Sequence, residues 1–436
     1  MPSIFIRLFK SKVATNSFWI IGEQMFQMVV SFVIGIISAR YLGPSNYGAL
    51  NYTASFVTFF TSIATLGMEG VVIKKIIEHP NKEGEFLGSS MLFRAISSVL
   101  SSVAIVLIVW ILNPNDSLKV VLASLQTLQL VFTSVHILDS WFQRHLNSKY
   151  VSIAKMIACL IVSAYKVFLL ITSKDIRWFA FSNTLTSLVI AIILWCVYGR
   201  KKTQALSVNM SSGMYLLKDS YHFILSGIMV AIYGQMDKIM LGGMISDTSV
   251  GFYTTAAMLC SAWTFIPNAI INSFRPKVME LKEAGNEKAY LIRLEQVYSL
   301  VIWGSLVASV LICALGYLII TILYGVEYSG AITPLRILIW CEAFAMIGNA
   351  RGIWILCENK NKYVKYYLGL GAVINLILNA ALIPIFDASG AAVATLITQI
   401  FTSIMAPLFF RETRIHTKLV IDAFLLRWRF KPDKIG

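Results

Sequence analysis

Ionisable side chains inside otherwise apolar stretches are the residues of this chain that could do chemistry. Glu23, Lys166 and Glu342 lie deepest in such stretches, where a charged group costs about 2.5–3.5 kcal/mol on insertion scales. A group kept at that cost is expected to bind a charged substrate, to pair with another group or to take up and release a proton. Glu23 and Glu342 are therefore candidates for coupling or gating, and Lys166 is a candidate for substrate binding.

The wider set of candidates contains five cations and three carboxylates. Positive charge in a cavity of low dielectric constant attracts phosphate and other anions, so this excess favours an anionic substrate. Glu23 and Gln27 share one face of a helix because they are four residues apart. The candidates for substrate binding are Arg94, Lys155, Lys166, Arg336, Gln24 and Gln27. The candidates for coupling or gating are Glu23, Glu342, Asp237 and Lys238.

Each candidate also has an ordinary structural interpretation. Arg94 and Lys155 lie near enough to the ends of their apolar stretches for their long side chains to reach the membrane surface. Asp237 and Lys238 lie near the outer end of theirs, where water could solvate them. The two deep carboxylates could be held by neighbouring amides or cations and never titrate.

Residues for metal, redox or nucleophilic chemistry are scattered along the chain. The six cysteines form no CxxC pair, and the five histidines form no HExxH or Cys/His cluster. Buried, unpaired cysteines are the expectation, with no metal site, no cofactor and no catalytic residues. Because there is no Walker A motif, the chain is not expected to use ATP.

Composition indicates the elements that must position these side chains. Of the 436 residues, 57% are hydrophobic and only 14% are charged, whereas soluble domains average roughly 25% charged. A helix needs about 20 apolar residues to cross the hydrocarbon core. An all-α membrane protein of twelve helices is predicted, with spans at 15–38, 46–68, 88–112, 118–140, 151–172, 176–198, 219–241, 249–273, 297–324, 331–352, 363–386 and 388–410. The polar residues 23, 24 and 27 make the first span a helix rather than a cleaved signal peptide.

Basic residues between the spans predict the orientation of the chain. With the N-terminus in the cytoplasm, the inner segments hold 28 of the 37 lysines and arginines and the outer segments hold four. This asymmetry predicts that both termini are cytoplasmic. It also explains the net charge of +15 without nucleic acid as a partner.

Short repeated motifs divide the chain into two halves. Tyr47-Gly48 matches Val250-Gly251 at an offset of 203, and Trp141 matches Trp354 at an offset of 213. Corresponding motifs in two halves indicate an internal duplication with the substrate path between the halves. We predict an N-terminal six-helix lobe at 1–209, a C-terminal six-helix lobe at 210–410, and a basic amphipathic cytoplasmic tail at 411–436 that lies on the membrane.

Several motifs resemble the Wzx-type oligosaccharide flippases of the polysaccharide biosynthesis family. They are the stretch Leu42–Gly48, the stretch Met236–Gly242 followed by Val250–Tyr253, and the series from Asn375 to Thr395. The resemblance covers the whole chain. It implies the fold of the multidrug/oligosaccharidyl-lipid/polysaccharide exporters, with two six-helix lobes around a cationic cavity, and it implies that the motifs shape helix packing.

The resemblance also implies a function. The chain would flip an undecaprenyl-diphosphate-linked oligosaccharide across the bacterial cytoplasmic membrane by alternating access, for O-antigen, capsule or exopolysaccharide synthesis. A polysaccharide polymerase and a chain-length regulator would be its partners beside the lipid bilayer. An ion-coupled drug or small-solute exporter of the same fold is the first alternative. A membrane-embedded polysaccharide polymerase is a weaker one, since the chain has no outer domain and no acidic catalytic cluster.

Overall fold

The computed structural model describes residues 12–427, which are α-helical with short turns and contain no β-strand. Ten helical runs in this part of the chain are long and apolar enough to cross a bilayer. The helices of its first part are α1 Lys12–Ala64, α2 Glu69–Glu78, α3 Glu83–Leu112, α4 Ser117–Thr133, α5 Leu138–Arg144, α6 Ser148–Ile171, α7 Ile176–Lys201 and α8 Met210–Met244. Those of its second part are α9 Asp247–Trp263, α10 Phe265–Glu283, α11 Glu287–Leu323, α12 Ile332–Cys357, α13 Val364–Ile400, α14 Ala406–Phe409 and α15 Arg414–Phe424.

Polar side chains fix where several of these helices begin. Asp116 accepts a hydrogen bond from the backbone N–H of Lys119 at the start of α4, and Ser246 accepts one from Ser249 at the start of α9. Asn286 does the same at the start of α11. The first turn of a helix has free N–H groups, and such caps stabilise it by about 1 kcal/mol each.

Two of the long helices contain a non-helical residue. In α1 the break is at Gly43, with φ 72° and ψ 167°, and the following Pro44 has no backbone N–H to donate. In α13 the break is at Asp387, with φ 56° and ψ −138°. A continuous helix of the 53 residues of α1 would be roughly 80 Å long, far more than the ~30 Å hydrocarbon core.

Gly48 and Gly251, the two glycines of the repeated sequence motif, make a reciprocal backbone contact. A Cβ on Gly48 would lie 1.7 Å from the carbonyl oxygen of Asp247, and one on Gly251 would lie 2.1 Å from the carbonyl oxygen of Pro44. Only glycine fits at either position, because a backbone carbonyl cannot move aside as a flexible side chain can. The offset of 203 that relates the two glycines also relates Pro44 to Asp247.

The helices form two compact units. The first comprises the residues up to Leu42 together with Ala49–Gln235, and the second comprises Gly43–Gly48 together with the chain from Met236 onward. The boundary predicted between residues 209 and 210 coincides with the start of α8, whereas the two units meet in sequence within α8, between Gln235 and Met236. The predicted lobe limits stay a prediction. Trp141 lies in the apolar core of the first unit and its counterpart Trp354 in that of the second.

The predicted amphipathic tail is helical over α15, while residues 428–436 lie outside the described part, as do residues 1–11. Leu419, Val420 and Ala423 of α15 are buried in the core of the second unit. The helix therefore packs with its apolar face against α11 and α12 and presents its basic residues outward.

His416 lies on the buried face of α15, and neither of its ring nitrogens has a hydrogen-bond partner. It packs edge-on against Tyr298, with ring centroids 5.4 Å apart, and lies 5.9 Å from the ring of Trp354. Burial, together with the positive charge of Arg351, lowers the pKa of His416 well below its ordinary value of 6.5. The imidazole is therefore neutral in the folded protein.

We expect His416→Phe to make the protein less sensitive to acid. Below pH ~6.5 the unfolded chain binds a proton that the folded chain does not. The free energy of unfolding therefore decreases as the pH is lowered, by up to ~1.4 kcal/mol per pH unit for this one group. The phenyl ring keeps the aromatic packing and removes both unpartnered nitrogens. Melting temperatures in detergent at pH 7.5 and 5.5 provide the measurement. An equal drop in parent and variant would contradict the prediction.

Candidate functional site

A polar cavity of about 390 Å³ lies within the first unit, between α1, α6 and α7. We call it the lysine cavity. Its volume is in the range of small-molecule sites, roughly 300–1,000 Å³. Its lining residues are Glu23, Gln27, Ser31, Ile34, Lys155, Cys159, Val162, Ser163, Lys166, Asn183, Thr186 and Ile190. On each helix they recur every three or four residues, which is the spacing of one helix face.

Four of the residues predicted from the sequence meet in this cavity. Glu23 is only 5% exposed and accepts a hydrogen bond of 2.6 Å from Nε2 of Gln27, one turn further along α1. Nζ of Lys155 lies 3.6 Å from a carboxylate oxygen of Asp139. Lys166 completes the set from the same face of α6. The fixed charges on the cavity wall are thus two ammonium groups and one carboxylate.

Lys166 is the cation best placed to bind an anion here. No ion pair of Lys166 occurs within residues 12–427, whereas Lys155 faces Asp139. Its ammonium group carries three N–H donors and no acceptor. Asn183, Thr186 and Ser163 lie in the same wall and supply amide and hydroxyl groups. The arrangement can hold an anionic group at Lys166 and hydroxyl-rich groups beside it.

The remaining candidates for substrate binding lie outside the lysine cavity. Arg94 is fully buried, and its Nη2 donates to the carbonyl oxygen of Thr133 at 3.0 Å and lies 3.7 Å from Glu69. Arg336 donates from Nε to the carbonyl oxygen of Cys313 at 3.1 Å. Gln24 is exposed and is not in the cavity wall. Both arginines therefore use donors on backbone carbonyls of a neighbouring helix, Arg94 at the end of α4 and Arg336 within α11.

A second polar cluster surrounds Asp237 in the second unit. The Asp237 carboxylate is 4% exposed and accepts three side-chain hydrogen bonds. Nδ2 of Asn379 donates to one oxygen at 2.5 Å, while Oγ1 of Thr395, at 2.8 Å, and the hydroxyl of Tyr253 donate to the other. Nδ2 of Asn379 also lies 3.0 Å from Oδ1 of Asn375. These five residues are the Asp237 cluster.

The Asp237 cluster has the donor set of a cation site. Oδ1 of Asn379 is buried and has no hydrogen-bond partner, which is unusual because buried polar atoms are nearly always bonded. Turning this amide would bring its oxygen beside one carboxylate oxygen of Asp237 and the amide oxygen of Asn375, while two hydroxyl groups contact the other carboxylate oxygen. Such oxygen ligands suit hard cations. The described residues contain no group of three or more His, Cys, Asp or Glu side chains that could hold a metal, and the cluster itself has one carboxylate.

Lys238 and Glu342 complete the predicted set. Both are half-buried in the second unit, Lys238 beside Asp237 on α8 and Glu342 on α12. Glu23 belongs to the first unit.

Sequence reasoning singled out Asp237 but missed the residues around it. The sequence motifs include four of these neighbours, but the motifs were expected only to shape helix packing. The four are Tyr253, Asn375, Asn379 and Thr395. Two asparagines four residues apart in an apolar run lie on one helix face, and each is fully buried here. That pair was the available signal, because an unneeded buried amide is as costly in a membrane as in a soluble core.

Sequence comparisons with known proteins identify the family of the chain. The family model described as "Polysaccharide biosynthesis protein" matches residues 13–280. The chain is 23% identical to the "Probable flippase AglR" of Haloferax volcanii, over 91% of this chain and 83% of that protein. It is 21% identical to the "Putative O-antigen transporter" of Escherichia coli, over 86% of this chain and 91% of that protein.

Solved structures of two kinds of transporter share the fold. The lipid II flippase MurJ in an inward closed conformation matches with a TM-score of 0.74 at 14% identity, covering 94% of this chain and 91% of that one. An inward-facing multidrug transporter of the MATE family matches with a TM-score of 0.64 at 13% identity, covering 91% and 96%. At such identities the likeness concerns the fold alone.

Proposed function

Because the chain belongs to the polysaccharide biosynthesis protein family, we propose that it is a flippase for an undecaprenyl-diphosphate-linked oligosaccharide repeat unit. It carries the unit from the cytoplasmic to the outer leaflet of the bacterial cytoplasmic membrane, for synthesis of O-antigen, capsule or exopolysaccharide. The observation that carries this proposal is Lys166, a cation without an ion pair among the described residues, in a cavity wall of amides and hydroxyls. The diphosphate or an acidic sugar binds the ammonium group of Lys166, and sugar hydroxyls form hydrogen bonds with the neighbouring amides and hydroxyls.

The proposed membrane topology has twelve crossings with both termini in the cytoplasm. Residues 12–427 contain ten apolar helical runs, and the two longest, of 64 and 49 residues, contain the breaks at Gly43 and Asp387. If each of these two turns back at its break, the number of crossings becomes twelve. The even number agrees with the distribution of basic residues, 28 inside against four outside.

Reporter fusions test this topology. We expect a reporter that is active only in the cytoplasm to work when it is fused after Gly436. A reporter that is active only outside should work when it is inserted near Asp247. An outside signal from the C-terminal fusion would contradict the twelve-crossing arrangement.

Flipping itself can be measured in liposomes that contain the purified protein and a fluorescent undecaprenyl-diphosphate-linked oligosaccharide. We expect the fraction of the probe accessible to an external quencher to change only with the protein present. In cells that lack the gene, surface polymer should disappear while the lipid-linked unit accumulates inside. Transport of cationic dyes without transport of the lipid-linked probe would favour the drug exporter instead.

The Asp237 cluster supports coupling of transport to a monovalent cation. One carboxylate among neutral oxygen donors matches a single positive charge, and we propose sodium, a hard monovalent cation, as the coupling ion. The buried amide oxygen without a partner at Asn379 would become a ligand. Protonation of Glu23 or Glu342 is the other coupling proposal, and it rests on their depth in the sequence-predicted spans.

A further inference from the structure

An apolar groove of about 260 Å³ lies on the second unit between α11, α12 and α15. No lining residue is charged. The lining residues are Ile302, Leu306, Trp340, Ala343, Phe344, Ile347, Ile404, Val420, Ile421 and Phe424. The volume is slightly below the roughly 300–1,000 Å³ of sites that enclose a whole small molecule, so the groove fits a section of a hydrocarbon chain.

The groove is continuous with an exposed apolar surface. Ile421 and Phe424 line it and are still 49% and 43% exposed. The ring of Phe424 stacks on Trp303 of α11, with centroids 5.6 Å apart and planes at 2°. Leu300 and Val307, one turn to either side of Trp303, are also exposed. In a membrane-spanning helix such a face meets hydrocarbon, so lipid chains can enter the groove from the side.

An irregular turn of helix shapes one wall of the groove. Residues Phe401–Met405, which include Ile404, form a π-helix. Nη1 of the buried Arg351 donates to the carbonyl oxygen of Thr402 at 2.7 Å, and Oγ of Ser403 donates to that of Phe344 at 2.8 Å. The first bond satisfies a carbonyl group of the wide turn, and the second joins that turn to α12. Single π-turns within α-helices occur frequently at functional sites, and this one is held by a buried cation.

Positive charge lies beside the apolar groove on α15. Lys418 is exposed and precedes Ile421 by three residues, so both lie on the same side of the helix. A cation next to an apolar slot at the membrane surface matches an amphiphile with an anionic head and a long apolar chain. A phospholipid has the same general chemistry, but the substrate proposed above must keep its long chain in the bilayer while its head crosses.

We propose that the apolar groove binds a section of the polyprenyl chain of the substrate, with Lys418 near its phosphate end. This inference rests on the proposed function, because that function supplies the polyprenyl lipid. Binding there anchors the chain to the second unit while the oligosaccharide moves. It also gives a membrane-resident contact that does not depend on which sugar is carried.

The direct test uses undecaprenyl phosphate that carries a diazirine on its chain, added to the full-length protein in detergent. We expect cross-links in the peptides around residues 340–347 and 420–424, and we expect unlabelled undecaprenyl phosphate to compete for them. Equal competition by phosphatidylglycerol would overturn the proposal, since the groove would then hold any lipid. Labelling that rises only after removal of residues 428–436 would also overturn it, because the chain's own end would be the occupant.

A filling substitution provides the second measurement. We expect Ala343→Trp to weaken binding of undecaprenyl phosphate about tenfold or more, because excluding two methylene-sized groups suffices for that change. Val310→Trp is the matched control, since Val310 is exposed on α11 and does not line the groove. If Ala343→Trp binds undecaprenyl phosphate as tightly as the parent, the inference about the groove is wrong. Flipping by the parent in the same preparation would still support the proposed function. A parent that flips no lipid-linked probe would remove the proposed function itself.

Discussion

Replacing Lys166 by alanine is expected to abolish most of the transport of the lipid-linked oligosaccharide. Loss of one partner from a desolvated charged contact costs about 2–5 kcal/mol, which corresponds to a reduction of about 30-fold or more in binding. Lys166→Arg keeps the charge but not the compact shape of the ammonium group, so part of the activity should remain. Surface polymer and flipping in liposomes are the two measurements.

Lys174→Ala is the matched control for this experiment. Lys174 follows α6, is exposed, and is not in the wall of the lysine cavity. Its replacement should leave transport unchanged, and all variants should reach the parent's level in the membrane. Normal transport by Lys166→Ala at that level would mean that the cavity does not bind the substrate through this cation.

Asp237→Asn is expected to remove the response of transport to a sodium gradient. The change keeps the shape of the side chain and deletes the only full negative charge of the Asp237 cluster. Coupling free energies of 1–3 kcal/mol correspond to effects of roughly 5- to 150-fold, and a stimulation in this range should disappear. Flipping in liposomes is measured with sodium inside, outside or on both sides.

Glu342→Gln and Glu23→Gln separate sodium coupling from proton coupling. Each keeps shape and hydrogen-bonding capacity while removing a titrating group. If the Asp237 cluster couples transport, both variants should respond to sodium as the parent does. If Asp237→Asn also responds normally, the cluster is structural. Loss of a response to a pH gradient in either glutamine variant would support protonation at that glutamate instead.

Much of the architecture could be predicted because a bilayer restricts the possible structures. The lengths of the apolar stretches predicted the positions of the long helices, because a helix satisfies all its backbone hydrogen bonds within hydrocarbon and an open sheet does not. The breaks at Gly43 and Asp387 were located within a few residues for the same reason. The fold shared with MurJ and MATE transporters is the exporter fold that the resemblance implied, while the twelve spans and the two six-helix lobes stay predictions.

The candidate sites were predictable only in part. Depth within a span identified Glu23 and Lys166, and helix periodicity placed Gln27 on the same face, because those properties are local. Depth could not separate Lys166 from Arg94, since the difference is a backbone carbonyl at Thr133, 39 residues away. The surroundings of Asp237 join α8, α9 and α13. The spacing of Asn375 and Asn379 indicates a shared polar face, but it does not indicate that this face contacts Asp237, 142 residues away from Asn379.

The contact of Gly48 with Asp247 and of Gly251 with Pro44 has the form of an isologous interface, in which residue i meets j and j meets i. Such reciprocity is what a two-fold axis imposes on two identical molecules. An ancestral half-length chain that paired with itself would have made one contact twice, from one glycine and one carbonyl. After duplication and fusion, each copy would keep its glycine because the other copy's backbone fills the space. The two glycines would then be a record of a homodimer that preceded the single chain.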